Sequence, residues 1–205
     1  SMGSLFQNLK KRKVFIMRIR ISKLANILAL PTILLWNPSY AQQNELLPDY
    51  PNNYATYRDV ITLPDGRTMG SGNAIDVDSE GNVWVFERCG GNNGACLESD
   101  VDPVLKYSPD GEFLFSFGGG MFVWPHGVIV DEDDNLWLID AGVVDGEKGN
   151  QIFKFNQQGE LLIELGQPGI RGDGPGEFNE PSDLSIGPDG TLYIVDGHIN
   201  PDSNR

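Results

Sequence analysis

The chain has 205 residues, with 29 acidic against 15 basic side chains and a net charge of −14. So acidic a surface repels phosphate backbones and argues against a nucleic-acid partner. Its two cysteines, Cys89 and Cys96, have no second soft-ligand pair beside them and give only a weak zinc-thiolate signal.

Residues 1–41 stand apart from the rest. They hold seven of the basic side chains (Lys10, Lys11, Arg12, Lys13, Arg18, Arg20 and Lys23) and none of the acidic ones. An apolar run follows at 24–36 (LANILALPTILLW), and Ala41 closes a Pro-Ser-Tyr-Ala exit. A basic head, a short apolar stretch and a small residue at the end form a secretory leader, with cleavage expected after Ala41. The run is interrupted by Asn26 and Pro31 and falls short of the roughly 20 apolar residues a membrane span needs. Met17 can serve as the true start, because MRIRISK already forms a basic head, and residues 1–4 are set aside. Without the leader the net charge becomes −21, with no membrane attachment expected. The expected location is secreted or periplasmic. Residues 42–71 read as a linker in which 57–67 (YRDVITLPDGR) can supply a closing outer strand.

From residue 72 onward the chain repeats itself. The segments 73–87 (NAIDVDSEGNVWVFE), 126–140 (HGVIVDEDDNLWLID) and 182–196 (SDLSIGPDGTLYIVD) share one pattern. Each is a short apolar strand, a tight turn rich in Asp, Gly and Asn, and a second apolar strand ending in an acid. Between them lie two further alternating hairpins, 104–117 (VLKYSPDGEFLFSF) and 151–165 (QIFKFNQQGELLIEL). Each unit is therefore four antiparallel strands, and units repeated without any helical period predict β-propeller blades. The competing all-β reading is a sandwich of hairpins. The fold class is all-β, a partial propeller of about two and a half blades over 72–205. A ring needs at least four blades, so the sequence is expected to be a truncated one with an open blade edge that favours self-association.

Between the first two units lies CGGNNGAC, where an exported chain is expected to close a Cys89–Cys96 disulfide, a metal pair being the alternative. The acids closing the second strands, Glu87, Asp140 and Asp196, are expected to bind backbone amides at blade corners. Glu132, Asp133 and Asp134 read as a solvated turn, because EF-hand spacing is absent. The glycine-rich stretches 118–120 and 166–176 precede no helix and so are connections rather than phosphate cradles. No G-x-S-x-G elbow occurs.

Three residues stand out as a candidate site. His126 begins a first strand, while Arg88 and His198 each follow a second strand. In antiparallel pairs these positions share one end of the ring, near its central channel. The chain has two histidines, and both fall there. Neutral imidazole binds zinc well, and arginine offers a fixed charge to a carboxylate or oxyanion. The alternative is a structural role, with His126 satisfied at a strand entry and Arg88 paired to Glu87 or Asp140.

The ordered stretches VFER–C, MFVWPHGVIVD, NLWLIDAG, QIFKF, GEFNEPSDLSIGPDGTLYIVDGH and SNR, running from about residue 72 to the end, resemble NHL-repeat propellers. More specifically, they resemble the bacterial relatives of peptidyl-α-hydroxyglycine α-amidating lyase. The resemblance implies a six-bladed ring holding one zinc through three histidines, a catalytic arginine and tyrosine, and a structural calcium bound in part by backbone carbonyls. Matched by motif, His126 corresponds to the first zinc histidine, Arg88 to the catalytic arginine, and Ile75 and Val128 to calcium-binding carbonyl positions. The family's tyrosine follows Asp-Gly; here Asp196-Gly197 is followed by His198, which can act as a base or an added ligand. The expected activity is cleavage of a small-molecule or peptide carbinolamide to an amide plus glyoxylate, with the other two histidines in blades outside this sequence. Competing readings are a non-catalytic propeller that binds a peptide, glycan or cell-envelope partner, and a lactonase-like metal-assisted hydrolase.

Overall fold

The computed structural model describes residues 18–21 and 54–198. Every regular element among them is a β-strand, and no helix there is long and apolar enough to cross a membrane. The chain divides into two compact units. The smaller contains β1 (Arg18–Ile21) paired antiparallel with β2 (Tyr54–Tyr57). Apart from β1, the expected leader and its cleavage point lie outside the described residues. The strand within the expected linker is β2, and its partner is β1.

The larger unit holds the repeats. Strands β3 (Gly72–Val77), β4 (Val83–Glu87), β5 (Val104–Tyr107) and β6 (Phe113–Phe117) form a four-stranded antiparallel sheet in sequence order. Strands β7 (Pro125–Val130), β8 (Leu136–Val144), β9 (Lys148–Phe155) and β10 (Leu161–Leu165) form a second sheet of the same order. Strands β11 (Pro181–Ile186) and β12 (Leu192–Asp196) form the first half of a third. These are two propeller blades and half of another, as the repeats predict.

The blades stack through their apolar faces. Trp84, Phe86 and Val104 of the first pack with Val128, Leu138, Phe153 and Phe155 of the second around Phe122. Trp137, Ile139 and Ile152 of the second pack with Leu184 and Ile186 of the third. Full burial of side chains of this size contributes about 1.5–3 kcal/mol each. Tight turns supply the geometry between strands, and Gly81 and Gly190 take the positive φ that the inner hairpins require.

Each of the first two blades is stapled by the same set of four polar residues. Asp78 accepts from the Trp84 indole at 3.1 Å and from Asn82, and it pairs with Lys106 at 3.2 Å. Asp131 repeats this with Trp137 at 3.1 Å, Asn135 and Lys154 at 2.8 Å. The lysine of each set also lies over the indole, at 4.9 and 5.2 Å. In the third repeat Gly187 stands where this aspartate would be, and Tyr193 stands where the tryptophan would be. Adjacent blades are then tied by Asp76 accepting from the Val130 amide and by Asp134 accepting from Ser79.

The corner between the second and third strands differs between blades. In the second blade the β8–β9 ladder runs past Asp140 to Val144 and Lys148 before turning. In the first blade the chain leaves β4 into a loop closed by the Cys89–Cys96 disulfide, with Cα atoms 5.2 Å apart. Opening so short a loop relaxes the unfolded chain modestly. Cys89→Ser with Cys96→Ser is expected to lower the unfolding free energy by about 2.5 kcal/mol in a urea titration.

Candidate functional site

Each inner strand pair carries a register shift at the same place, between Gly72 and Ala74, Pro125 and Gly127, and Pro181 and Asp183. The residue left out of register is Asn73, His126 or Ser182. A bulge of this kind re-aims its side chain out of the pleat. Asn73 Nδ2 donates to the Pro125 carbonyl of the next blade. His126 Nδ1 lies 2.7 Å from the Ser182 carbonyl, again of the next blade. A carbonyl only accepts, so Nδ1 carries the proton and Nε2 is the lone-pair nitrogen. The structural alternative for His126, a ring satisfied at a strand entry, is thus met at Nδ1, and the same bond fixes the tautomer that a ligand or base needs.

The second histidine is beside the first. The His126 and His198 ring centroids are 4.6 Å apart, edge to face. Trp124 packs against both, at 5.9 and 4.9 Å, and the Arg88 guanidinium carbon lies 5.2 Å from the indole centroid. Arg88, His126 and His198, placed by strand logic at one end of the ring, thus meet around one tryptophan. Beside the imidazoles is an open cavity of about 430 Å³, lined by Asn73, Ala74, His126, Gly127, Val128, Ser182, Asp183 and His198.

Burial holds His126 below the ordinary histidine range, helped by the charges of His198 and Arg88 and opposed by the Ser182 bond and Asp183. The ring is neutral at physiological pH, as a metal ligand must be. Burial also lowers the Arg88 pKa, but an arginine stays charged. Its Nη1 donates to Asn93 within the disulfide loop. Arg88 Nε and the Trp124 indole N–H are both buried with no acceptor among the described residues.

The acids expected at blade corners behave as such. Asp140 accepts from the amides of Val123 and Trp124 at 2.8 and 2.6 Å. Asp196 accepts from the Asn179 amide at 2.7 Å. Glu87 accepts from Gly70 and Gly90 and pairs with Arg67 at 2.7 Å. The alternative pairing of Arg88 with Glu87 or Asp140 is therefore not formed, because Arg67 and backbone amides occupy those carboxylates. Ile75 and Val128 occupy the same register on adjacent inner strands, opposite Val85 and Leu138; Ile75 is exposed and Val128 buried. Among the described residues no group of three His, Cys, Asp or Glu side chains is placed to hold a metal. Sequence reasoning missed Trp124 and Asn93. Trp124 carried a usable signal, since a large aromatic directly before Pro125-His126 must lie against the same end of the blade.

No protein-family model matches the chain. It is 35% identical over 129 residues to NHL repeat-containing protein 3 of Mus musculus, a match covering 60% of this chain and 34% of that one. It is 28% identical over 149 residues to peptidyl-alpha-hydroxyglycine alpha-amidating lyase 1 of Drosophila melanogaster, covering 64% and 26%. The chain thus spans about a third or less of the length of these two relatives. A solved virginiamycin B lyase from Staphylococcus aureus matches at 14% identity and a TM-score of 0.43, over 66% of this chain and 37% of that one. With blades, repeats and relatives in agreement, the chain is a partial β-propeller, similar in sequence to NHL repeat-containing proteins and to the peptidyl-α-hydroxyglycine α-amidating lyases.

Proposed function

We propose that this chain is part of an exported, metal-dependent propeller lyase that cleaves a carbinolamide C–N bond, releasing an amide and glyoxylate. One observation carries the reading: His126, with its tautomer set by Ser182, lies 4.6 Å from His198, with Arg88 held on the shared Trp124. The relatives named as amidating lyases support it, and the disulfide suits an oxidising compartment.

The residues present fit a zinc ion in part. His126 Nε2 has the right protonation and would supply one ligand, and the described residues do not complete a set. When bound, zinc supplies a Lewis acid that acidifies the substrate hydroxyl. Arg88 offers its charge to the substrate carboxylate. His198 takes the hydroxyl proton. The O–H electron pair becomes the carbonyl of glyoxylate, the C–N pair leaves on nitrogen, and that nitrogen gains a proton to give the amide. A structural calcium would draw on the carbonyls of Ile75 and Val128, hard oxygen donors supplying two of its six to eight ligands.

The test is glyoxylate release from an acylated α-hydroxyglycine by the full-length protein, with its zinc content measured in parallel. Turnover with about one zinc per chain supports the reading. A protein that binds no zinc and releases no glyoxylate is a binding propeller instead.

A further inference from the structure

The Arg88 side chain is held from two sides by groups that sequence reasoning did not single out. One is Asn93, inside the loop closed by Cys89 and Cys96, whose side-chain oxygen accepts from Nη1. The other is Trp124, whose ring lies under the guanidinium. Both are themselves anchored. The chain turns sharply straight after Arg88, with Cys89 at φ 45 and Gly90 at φ 75. A cysteine rarely takes that left-handed backbone. Here the disulfide, the Gly91 amide donating to the Arg88 carbonyl, and Glu87 accepting from the Gly90 amide all hold it. The loop is further laced to the strand entry by Ser71 donating to Asn92 and by Thr68 donating to the Gly90 carbonyl. On the opposite side the buried Asp140 accepts from the Trp124 amide, and the Ala141 amide donates to the Trp124 carbonyl.

We propose that the disulfide-closed loop is a positioning device for Arg88, in which Asn93 and Trp124 clamp the guanidinium beside the two imidazoles, so that carboxylate binding at this end of the propeller depends on Asn93 and on the intact disulfide. An arginine side chain has many rotamers, and fixing one in advance removes that ordering cost from ligand binding. The two clamping contacts come from different blades, so the guanidinium is referenced to the His126 frame and not to its own strand alone. The ligand class rests on the functional reading above; the clamp does not.

The experiment follows the Arg88 side chain directly. Its Nε–H is buried, so it exchanges slowly and gives an NMR signal, identified by its absence in Arg88→Lys. Asn93→Ala, Trp124→Leu and the protein with the disulfide reduced are each expected to broaden or lose that signal. N-acetylglycine is the carboxylate probe, and its affinity is expected to fall about tenfold in each case, as when one charged hydrogen bond is lost. Asn93→Asp is expected to restore both, since it keeps the acceptor. An unchanged Arg88 signal and probe affinity in Asn93→Ala, or in the reduced protein, overturns the clamp. Neither readout uses turnover. A protein that shows the clamp but releases no glyoxylate loses the lyase reading alone, whereas a wild type with the Arg88 signal and no probe binding loses the carboxylate assignment.

Discussion

On the metal-dependent lyase reading, His126→Ala is expected to lower turnover by at least about 10³-fold and to abolish zinc binding, because a Lewis acid worth several kcal/mol would be lost with its ligand. Alanine also breaks the bond that His126 Nδ1 makes to Ser182, so loss of activity alone could reflect a loosened junction between the second and third blades. The repeats provide the control. Asn73 occupies the same bulge position one blade earlier, and its amide donates to the carbonyl of the following blade. His126→Asn should therefore rebuild the junction bond while lacking the Nε2 lone pair. The expected result is an unfolding midpoint near wild type together with the same loss of zinc and turnover as His126→Ala. If His126→Asn keeps its zinc and its activity, His126 is a junction residue only, and its role as a metal ligand falls.

That comparison also shows how far the sequence could be read. The blades were legible because their strands repeat turn chemistry and apolar alternation at fixed positions, and Trp84 and Trp137 are read identically in fold and in sequence. Clustering of His126, His198 and Arg88 was legible for the same reason, since antiparallel pairing brings strand starts and ends to one side. The bulge at Asn73, His126 and Ser182 was not, because a one-residue register shift leaves the alternation around it almost intact. The clamp on Arg88 was not legible either. Asn93 reaches back across a loop whose path depends on a left-handed Cys89, and Trp124 meets Arg88 from another blade. Contacts of this kind are set by tertiary placement, which local patterns do not encode. The β8–β9 extension past Asp140 was hidden as well, because the polar stretch 145–148 reads as loop until the ladder on either side is seen.

Asp140→Ala is expected to cost about 3–5 kcal/mol of stability, the largest effect of any single blade-corner change. The carboxylate is fully buried and accepts from the Val123 and Trp124 amides, with the Gly142 amide at 3.4 Å. Alanine leaves those donors buried and unmet, at about 1–3 kcal/mol each. The same site gives stability an acid-side rise. Burial pushes Asp140 up to about 6 from 3.8, against the pull of the three amides and Lys148, and burial also raises Glu87. A carboxyl with a raised folded pKa binds its proton more readily in the native state, so its contribution is greatest below the unfolded pKa and declines as pH rises through the folded one. Between about pH 4 and pH 6 the Asp140 term is worth about 3 kcal/mol in all. Asp78 and Asp131 act oppositely. Burial raises them, but bonds from Asn82, Trp84 and Lys106 to one, and from Lys154, Asn135 and Trp137 to the other, outweigh it and leave both below the usual range. Their stabilisation is lost only on further acidification, as pH falls through those lowered values. The unfolding free energy is therefore expected to rise as pH falls from 7 toward 4 and then to drop. In Asp140→Asn the rise should flatten while the acid-side drop remains. A wild-type profile that climbs from pH 4 to 7 would place the Asp140 carboxylate in a stabilising role as the charged form, with its amide bonds outweighing burial.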